Sequence, residues 1–148
     1  MMIKYIFIYL GLFFFLSSGF CAEEVNSSKV LTYADASVLF AKYLGFFDGY
    51  VKEDASLSEC VSFLNKKGIS FDLMDITSGV EFRKEDCARV FGQINLVLNG
   101  ESQFLSGKVK LPFGIDSWGE YCILNGLNFI DIYQVMHEMV CVAQEQKD

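Results

Sequence analysis

Hydrophobic and polar positions divide the chain into an apolar leader and a body with helical periodicity. Lys4 is the only charged residue before Glu23, and most residues between them are apolar. A positive residue, an apolar run and the small residues 17–19 follow one another in the order of a secretory signal peptide. The pattern therefore predicts a signal peptide over residues 1–22 and export of the remaining chain to a periplasmic, cell-surface or secreted location.

Two other fates of the leader stay open beside cleavage after Gly19 or Cys21. Residues 5–22 just reach the length of a membrane-spanning helix, so the segment can remain as an anchor. Alternatively, Cys21 can carry a lipid, although Phe20 occupies the place where lipid attachment usually needs a small residue. We expect membrane contact only through such an uncleaved or lipidated N-terminus.

The body predicts a single helical domain over residues 31–144, between a polar lead-in at 23–30 and a solvated tail at 145–148. Apolar residues recur at helical spacing, and about five helices alternate between long and short. The fold class is therefore all-α, with at most one small β-hairpin. Residues 70–82 contain a turn that suits a hairpin or an irregular loop, and residues 105–111 suit a strand.

Local signals predict where the helices begin and end. Long helices start at Thr32, at about Arg83 and at Asn128, each with an acidic residue three positions later. Short helices start at two capping boxes, Ser56 with Glu59 and Ser117 with Glu120. Glycines are predicted to end four of these helices, because glycine readily adopts positive φ: Gly45, Gly68, Gly100 and Gly126.

Charge and composition narrow the classes of partner. The chain has a net charge of −7, which becomes −8 once Lys4 leaves with the leader. An acidic body repels phosphate backbones and anionic lipid surfaces, so nucleic acid is not an expected partner. The high apolar content excludes a disordered chain and gives one domain enough material for a core.

Four cysteines follow the leader, namely Cys60, Cys87, Cys122 and Cys141. An even number in an exported chain permits two disulfides, in three pairings. The competing interpretation treats them as small buried hydrophobic residues, because all four lie in predicted helices and none forms a Cys-x-x-Cys pair. Both interpretations stay open at this point.

Nothing in the sequence predicts catalysis or a cofactor. His137 is the only histidine, and with Tyr133 and Cys141 it lies on one face of the last helix. Residues four apart on a helix seldom orient a nucleophile towards its base, and one histidine cannot make a histidine-rich zinc site. No glycine-rich phosphate loop or calcium-loop spacing is present. We therefore predict no enzyme activity, no cofactor and no metal site.

A weak internal repeat supplies the main functional hypothesis. Two short helices run into similar segments, Phe63-Leu64-Asn65-Lys66-Lys67-Gly68-Ile69 and Ile123-Leu124-Asn125-Gly126-Leu127. The long helices open similarly, at Thr32-Tyr33-Ala34-Asp35, Arg83-Lys84-Glu85-Asp86 and Asn128-Phe129-Ile130-Asp131, with starts 51 and 45 residues apart. Leu-x-x-x-Gly-Ile followed by Thr-Arg-Ala-Glu is the motif of the S-layer homology domain, which this chain resembles.

The resemblance implies noncovalent attachment to a cell-wall or envelope polysaccharide. In that family a basic residue of the motif contacts an acidic polysaccharide in a groove between repeats. Carried over, the role falls to Lys84, beside Arg83, with Asp86 as the cap that orients it. Tyr33 and Phe129 hold the same place in the other two copies and cannot pair with an anion.

We therefore expect a non-enzymatic binding or structural module of the cell envelope. Its partner would be an envelope polysaccharide or another exported protein, the latter through an apolar helical groove. Trp118 is a further candidate contact, because an aromatic ring beside the Pro112 loop can stack on a sugar or a partner. The alternative for Trp118 is packing into the core.

Overall fold

The computed structural model describes residues 30–48 and 54–147, so the predicted signal peptide and nearly all of the lead-in lie outside it. The described part is mostly helical, as expected, with one small hairpin. Its elements are α1 Tyr33–Asp48, α2 Leu57–Lys66, α3 Leu73–Thr77, α4 Lys84–Asn99, β1 Phe104–Leu105, β2 Lys108–Val109, α5 Trp118–Leu124 and α6 Phe129–Lys147. None of these helices is both long and apolar enough to cross a membrane.

The predicted caps form at the helix starts. Ser56 Oγ accepts a hydrogen bond from the backbone N–H of Glu59 at 3.2 Å, and Ser117 Oγ accepts one from Glu120 at 3.1 Å. These bonds satisfy amides that have no partner inside the helix. The starts of α2 and α5 are therefore fixed by local sequence.

Glycine ends both short helices in the same way. After α2 the N–H of Gly68 donates to Asn65 O, and that of Ile69 donates to Leu64 O, both at 3.0 Å. After α5 Gly126 and Leu127 repeat this pair of bonds, and both glycines have positive φ. The arrangement is a Schellman motif, which needs a residue that tolerates left-handed backbone.

Two local predictions were wrong. Gly45 does not end α1, which continues to Asp48. This helix packs along α2 and buries Leu44, and such packing outweighs the cost of about 1 kcal/mol for an internal glycine. Residues 70–82 form no hairpin. They contain α3 instead, because Asp72 Oδ1 accepts from Met74 N–H at 2.9 Å and caps a short helix.

Residues 105–111, predicted as one strand, instead contain the end of β1, a turn and β2 of a short hairpin. Phe104 pairs with Val109 and Leu105 with Lys108 in antiparallel register. The turn residues Ser106 and Gly107 have φ of 52° and 76°. Two positive φ values indicate a type I′ turn, whose twist matches that of the strands.

The starts of α1 and α4 lie side by side. Tyr33 N–H donates to Val80 O at 3.0 Å, and Phe82 N–H donates to Leu31 O at 2.8 Å. These bonds flank an antiparallel bridge between Thr32 and Glu81. The pairing brings Tyr33 against the first turn of α4.

Helix α4 is the centre of the fold. It packs against α5 and α6, and it also contacts β2. Every residue from Cys87 to Leu96 is buried except Arg89, which is half-buried. A helix that is buried on nearly all sides has few places where a polar side chain reaches solvent. Arg89 occupies such a place.

Candidate ligand-binding groove

A groove of about 430 Å³, here called the central groove, runs over α4 where five other elements meet it. A neighbouring cavity of about 330 Å³ shares Ser70, Asp72 and Lys108 with it and extends it past the hairpin turn. Both volumes fall within the range of small-molecule sites. The central groove is lined by Tyr33, Ser70, Asp72, Asp75, Arg89, Gln93, Leu105, Lys108, Val109, Lys110, Leu111 and Trp118.

Arg89 is held at the floor of the groove. Its Nη1 donates to Ser70 O at 2.7 Å, to Ser70 Oγ at 2.9 Å and to Gln93 Oε1 at 3.0 Å. The guanidinium carbon also lies 5.7 Å from the centre of the Phe71 ring. These contacts fix the orientation of the group, while Nε and Nη2 carry the other three N–H donors.

The side chain of Gln93, one turn after Arg89, links α4 to Ser70 and to Val109 of the hairpin. Its side chain is 2% exposed. Its Oε1 accepts from Ser70 N–H at 3.2 Å, and its Nε2 donates to Val109 O at 2.9 Å. A buried amide is stable only when its donors and acceptors are paired. Gln93 therefore links the floor of the groove to the hairpin.

The hairpin forms one wall and supplies two cations. Val109 is buried, and its N–H donates to Gly68 O at 2.9 Å. Because side chains alternate along a strand, Lys108 and Lys110 on either side of it point away from the core. Both are exposed and both line the central groove.

Glycine at position 68 is required for the hairpin to lie this close. Its φ is 84°, and a Cβ built on it would lie 2.5 Å from Phe104 Cε1 and 2.9 Å from Val109 Cγ2. Only a residue without a side chain fits between the end of α2 and the hairpin. The Schellman turn and the position of both lysines are thus coupled.

Trp118 forms the aromatic wall. It is half-buried and lies edge-on to Tyr121, with the ring centres 5.8 Å apart. A Cβ on Gly92 would lie 2.5 Å from Trp118 Cε3, so the ring rests directly on the backbone of α4. Trp118 therefore packs on the core and also lines the groove. Of the two alternatives predicted from the sequence, core packing and a contact surface for a ligand, neither excludes the other.

Tyr33, the first residue of α1, forms one end of the groove. Its hydroxyl donates to Asp86 Oδ1 at 2.5 Å, while Asp86 Oδ2 accepts from Arg83 N–H at 2.9 Å. Burial, and then the hydrogen bond to the Asp86 carboxylate, raises the pKa of Tyr33 to about 12, although Arg89 opposes the shift. Tyr33 is therefore a neutral donor at physiological pH.

The charge of the groove differs from that of the chain. Arg89, Lys108 and Lys110 line it together with only two carboxylates, Asp72 and Asp75. The chain as a whole has a net charge of −7. The groove is therefore a locally basic surface on an acidic protein, a distribution that attracts an anionic group to one place.

The four residues predicted to bind a ligand are only partly brought together. Arg83 is 70% exposed, with its Nε 3.7 Å from Glu81 Oε2, and Lys84 is exposed beside it. Neither lines the central groove, whereas Trp118 does. Asp86 lies one hydrogen bond away from it, through Tyr33. Asp86 caps α4 as expected.

All four cysteines that could have formed disulfides are buried, and Cys60, Cys87 and Cys122 are free. Burial raises the pKa of the Cys87 thiol, and it raises the pKa of Cys122 to about 12. Their thiols donate to backbone carbonyls, Cys87 to Phe129 O at 3.5 Å and Cys122 to Ala88 O at 3.3 Å. Thiols that stay protonated are poor nucleophiles. They act here as small core residues.

His137 lies on α6 beside Tyr133. His137 is half-buried, and its ring centre lies 6.3 Å from that of Tyr133 on the same helix. Within residues 30–48 and 54–147, no three histidine, cysteine or acidic side chains are grouped closely enough to hold a metal ion.

Sequence reasoning missed most of the groove. Arg89 and Gln93 are four apart on α4, and Lys108 and Lys110 are two apart in extended chain at and just after β2, so each pair shares a face. These spacings are visible in the sequence. That the two faces meet depends on the docking of the hairpin, which no local pattern encodes.

Comparison with known proteins supplies no relative. No protein-family model matches the chain, and no curated protein or solved structure matches it significantly.

Proposed function

We propose that this chain is an exported, non-enzymatic binding module of the cell envelope that attaches to an acidic envelope polymer through the central groove. The observation that carries the proposal is the meeting of Arg89, Lys108 and Lys110 with Trp118 in one groove of an acidic chain. Cations bind the acid groups of such a polymer, and an aromatic ring packs against the face of a sugar.

The overall negative charge is compatible with an acidic ligand. At physiological ionic strength the Debye length is about 8 Å, so exposed charges farther away than this are largely screened. A bound acid group would contact the cations that line the groove directly, whereas most acidic residues of the chain do not line it. Attachment should therefore weaken as salt is raised above the physiological range.

The placement of the acidic residues favours binding over hydrolysis. Glycoside hydrolysis needs two carboxyl groups on opposite sides of the bond that is cleaved. Asp72 and Asp75 both belong to the start of α3, three residues apart, and so lie on one wall of the groove. We accordingly assign no catalytic role to either.

The resemblance to S-layer homology repeats supports the same class of function. The acidic residue three positions after each long-helix start is hydrogen-bonded to that start. Asp35 Oδ2 accepts from Thr32 N–H and Asp86 Oδ2 accepts from Arg83 N–H, whereas Asp131 donates its backbone N–H to Asn128 Oδ1. We propose that these starts belong to degenerate repeats. We place the binding surface in the central groove, since Lys84 lies outside it.

Co-sedimentation with purified envelope polymer tests the proposal, using two variants of equal charge change. Lys108→Gln with Lys110→Gln removes the cations of the hairpin, and Arg83→Gln with Lys84→Gln removes two exposed cations outside the groove. We expect wild type and the second variant to sediment, and the first to bind about fivefold or more weakly. If only Arg83→Gln with Lys84→Gln fails to sediment, the binding site lies at Arg83 and Lys84 instead of in the central groove. If wild type itself fails to sediment, the proposal is refuted.

A second candidate function rests on an apolar surface at the other end of α5. Ile123 is 74% exposed, Leu124 67% and Ile130 49%, and the first and last of them line a cavity of about 340 Å³. Exposed apolar clusters often bind other proteins. If this surface binds an exported partner, Ile123→Ser with Ile130→Ser will abolish that complex in a pull-down from envelope extract and leave polymer binding unchanged.

A further inference from the structure

The central groove contains opposite charges that do not pair with one another. Asp72 and Asp75 line one wall, and Lys108 and Lys110 line the hairpin wall. Although all four of these side chains are described, no nitrogen of Lys108 or Lys110 lies within 4.0 Å of a carboxylate oxygen of Asp72 or Asp75. The carboxylates and cations of the groove are therefore held apart by the elements that carry them.

One carboxylate is only partly used by the fold. Asp72 Oδ1 accepts from Met74 N–H at 2.9 Å as the cap of α3. A carboxylate offers about four acceptor sites on its two oxygens, so capping leaves acceptors that can face the groove. Asp75 is half-buried in the first turn of the same helix and lines the groove beside it.

A purely anionic ligand fits this arrangement poorly. It would be attracted by the hairpin lysines and repelled by two carboxylates a short distance away, and like charges in one site cost free energy. A ligand with an anion at one end of its repeating unit and an ammonium group at the other would meet a complementary charge on each wall.

We infer, on the basis of the function proposed above, that the ligand is zwitterionic: an acidic polysaccharide that also carries free amino groups. Its anionic group binds Lys108 and Lys110 on the side of the groove where Arg89 adds a third positive charge. Its ammonium group binds the carboxylates of Asp72 and Asp75. A sugar ring between the two groups packs against Trp118.

The test uses one acidic polysaccharide with free amino groups and the same preparation after N-acetylation, which removes the positive charges and leaves the chain length unchanged. Asp72→Asn with Asp75→Asn removes the acidic wall while keeping a capping side chain, because asparagine also caps helices. Asp54→Asn with Asp116→Asn is the control of equal charge change, since both residues are exposed and neither lines the central groove. Circular dichroism verifies the fold of each variant.

We expect N-acetylation to weaken binding to wild type by roughly two- to fivefold for each ammonium group that pairs with the acidic wall, the range of an exposed ion pair. The groove variant should bind both preparations equally, and the control should keep the difference. If wild type binds the N-acetylated polymer as tightly as the untreated one, and Asp72→Asn with Asp75→Asn binds the N-acetylated polymer more tightly than wild type does, the ligand is purely anionic. The inference is then wrong and the proposed function stands. If neither preparation binds, or Lys108→Gln with Lys110→Gln has no effect, both fail.

Discussion

Single residues decide whether the central groove keeps its shape, and Gly92 shows this most clearly. The Trp118 ring rests where any side chain on Gly92 would stand. Glycine inside a helix costs up to about 1 kcal/mol relative to alanine, so the fold gives up helix stability here for a close contact. The contact between Gly92 and the Trp118 ring therefore belongs both to the core and to the wall of the groove.

Gly92→Ala should destabilise the protein by about 1–3 kcal/mol, the usual cost of an overpacked core, and displace the Trp118 ring. Denaturant unfolding measures the first effect, and the emission maximum of the tryptophan reports the second. Gly119→Ala is the matched control, because its Cβ would meet no atom closer than 3.8 Å. An unchanged emission maximum in Gly92→Ala would mean that the contact does not hold the ring.

Tyr33 has a second residue-scale role, as the donor to Asp86. Tyr33→Phe leaves a carboxylate oxygen without its partner and should cost about 1–3 kcal/mol near neutral pH. The pKa of about 12 in the folded state lies above the unfolded value of about 10, so the folded protein retains this proton longer. The stabilisation is therefore complete below pH 10 and is lost as pH rises from about 10 to 12.

Urea unfolding of wild type and Tyr33→Phe at several alkaline pH values measures this dependence. The difference in unfolding free energy between the two should shrink over that interval. A difference that stayed constant with pH would show that Tyr33 does not carry the shifted proton.

At the scale of elements, the hairpin is the part whose position matters most. It contributes two lysines, and its place depends on the turn after α2 and on the bond from Gln93 to Val109. Caps such as Ser56 and Ser117 were predictable, because a cap involves residues three apart in sequence. The docking of the hairpin was not, since it depends on contacts between residues some 16 to 40 positions apart.

Gly68→Ala should disturb the hairpin, whereas Gly79→Ala should not. Both positions have positive φ, so each substitution carries a backbone strain of about 1–2 kcal/mol. Only at Gly68 would the new methyl group also collide with Phe104 and Val109, while Gly79 has open space around it. We expect the first variant alone to lose polymer binding and to be about 1–3 kcal/mol less stable than the second. Equal stability and equal binding would contradict the coupling between turn and hairpin.

At the scale of the whole molecule, a mostly helical domain carries one charged groove. Periodicity and capping predicted the helical class, and in α4 Cys87, Val90, Phe91 and Ile94 are buried. Periodicity did not reveal that Gln93 and Asn95 on the same helix are buried too. Their burial follows from elements packed on several sides of α4, and their side chains are satisfied by Val109 O and by Tyr121 Oη.

Mass spectrometry of the mature protein tests the export part of the account. A chain that starts between residues 20 and 23 is expected if the leader is cleaved as predicted. Alkylation after unfolding should label Cys60, Cys87 and Cys122, because each is free in the structure. An intact leader on a chain recovered from the cytosol would contradict export, and an unlabelled thiol at any of these three positions would contradict their free state.

The most direct measurement is the fluorescence of Trp118, the single tryptophan of the chain, during titration with purified soluble envelope polymer. We predict a saturable change in emission for wild type and for Arg83→Gln with Lys84→Gln. The change should be weakened in Lys108→Gln with Lys110→Gln, with the same salt dependence as co-sedimentation. Polymer binding that leaves the tryptophan emission unchanged in every variant would contradict the central groove as the binding site.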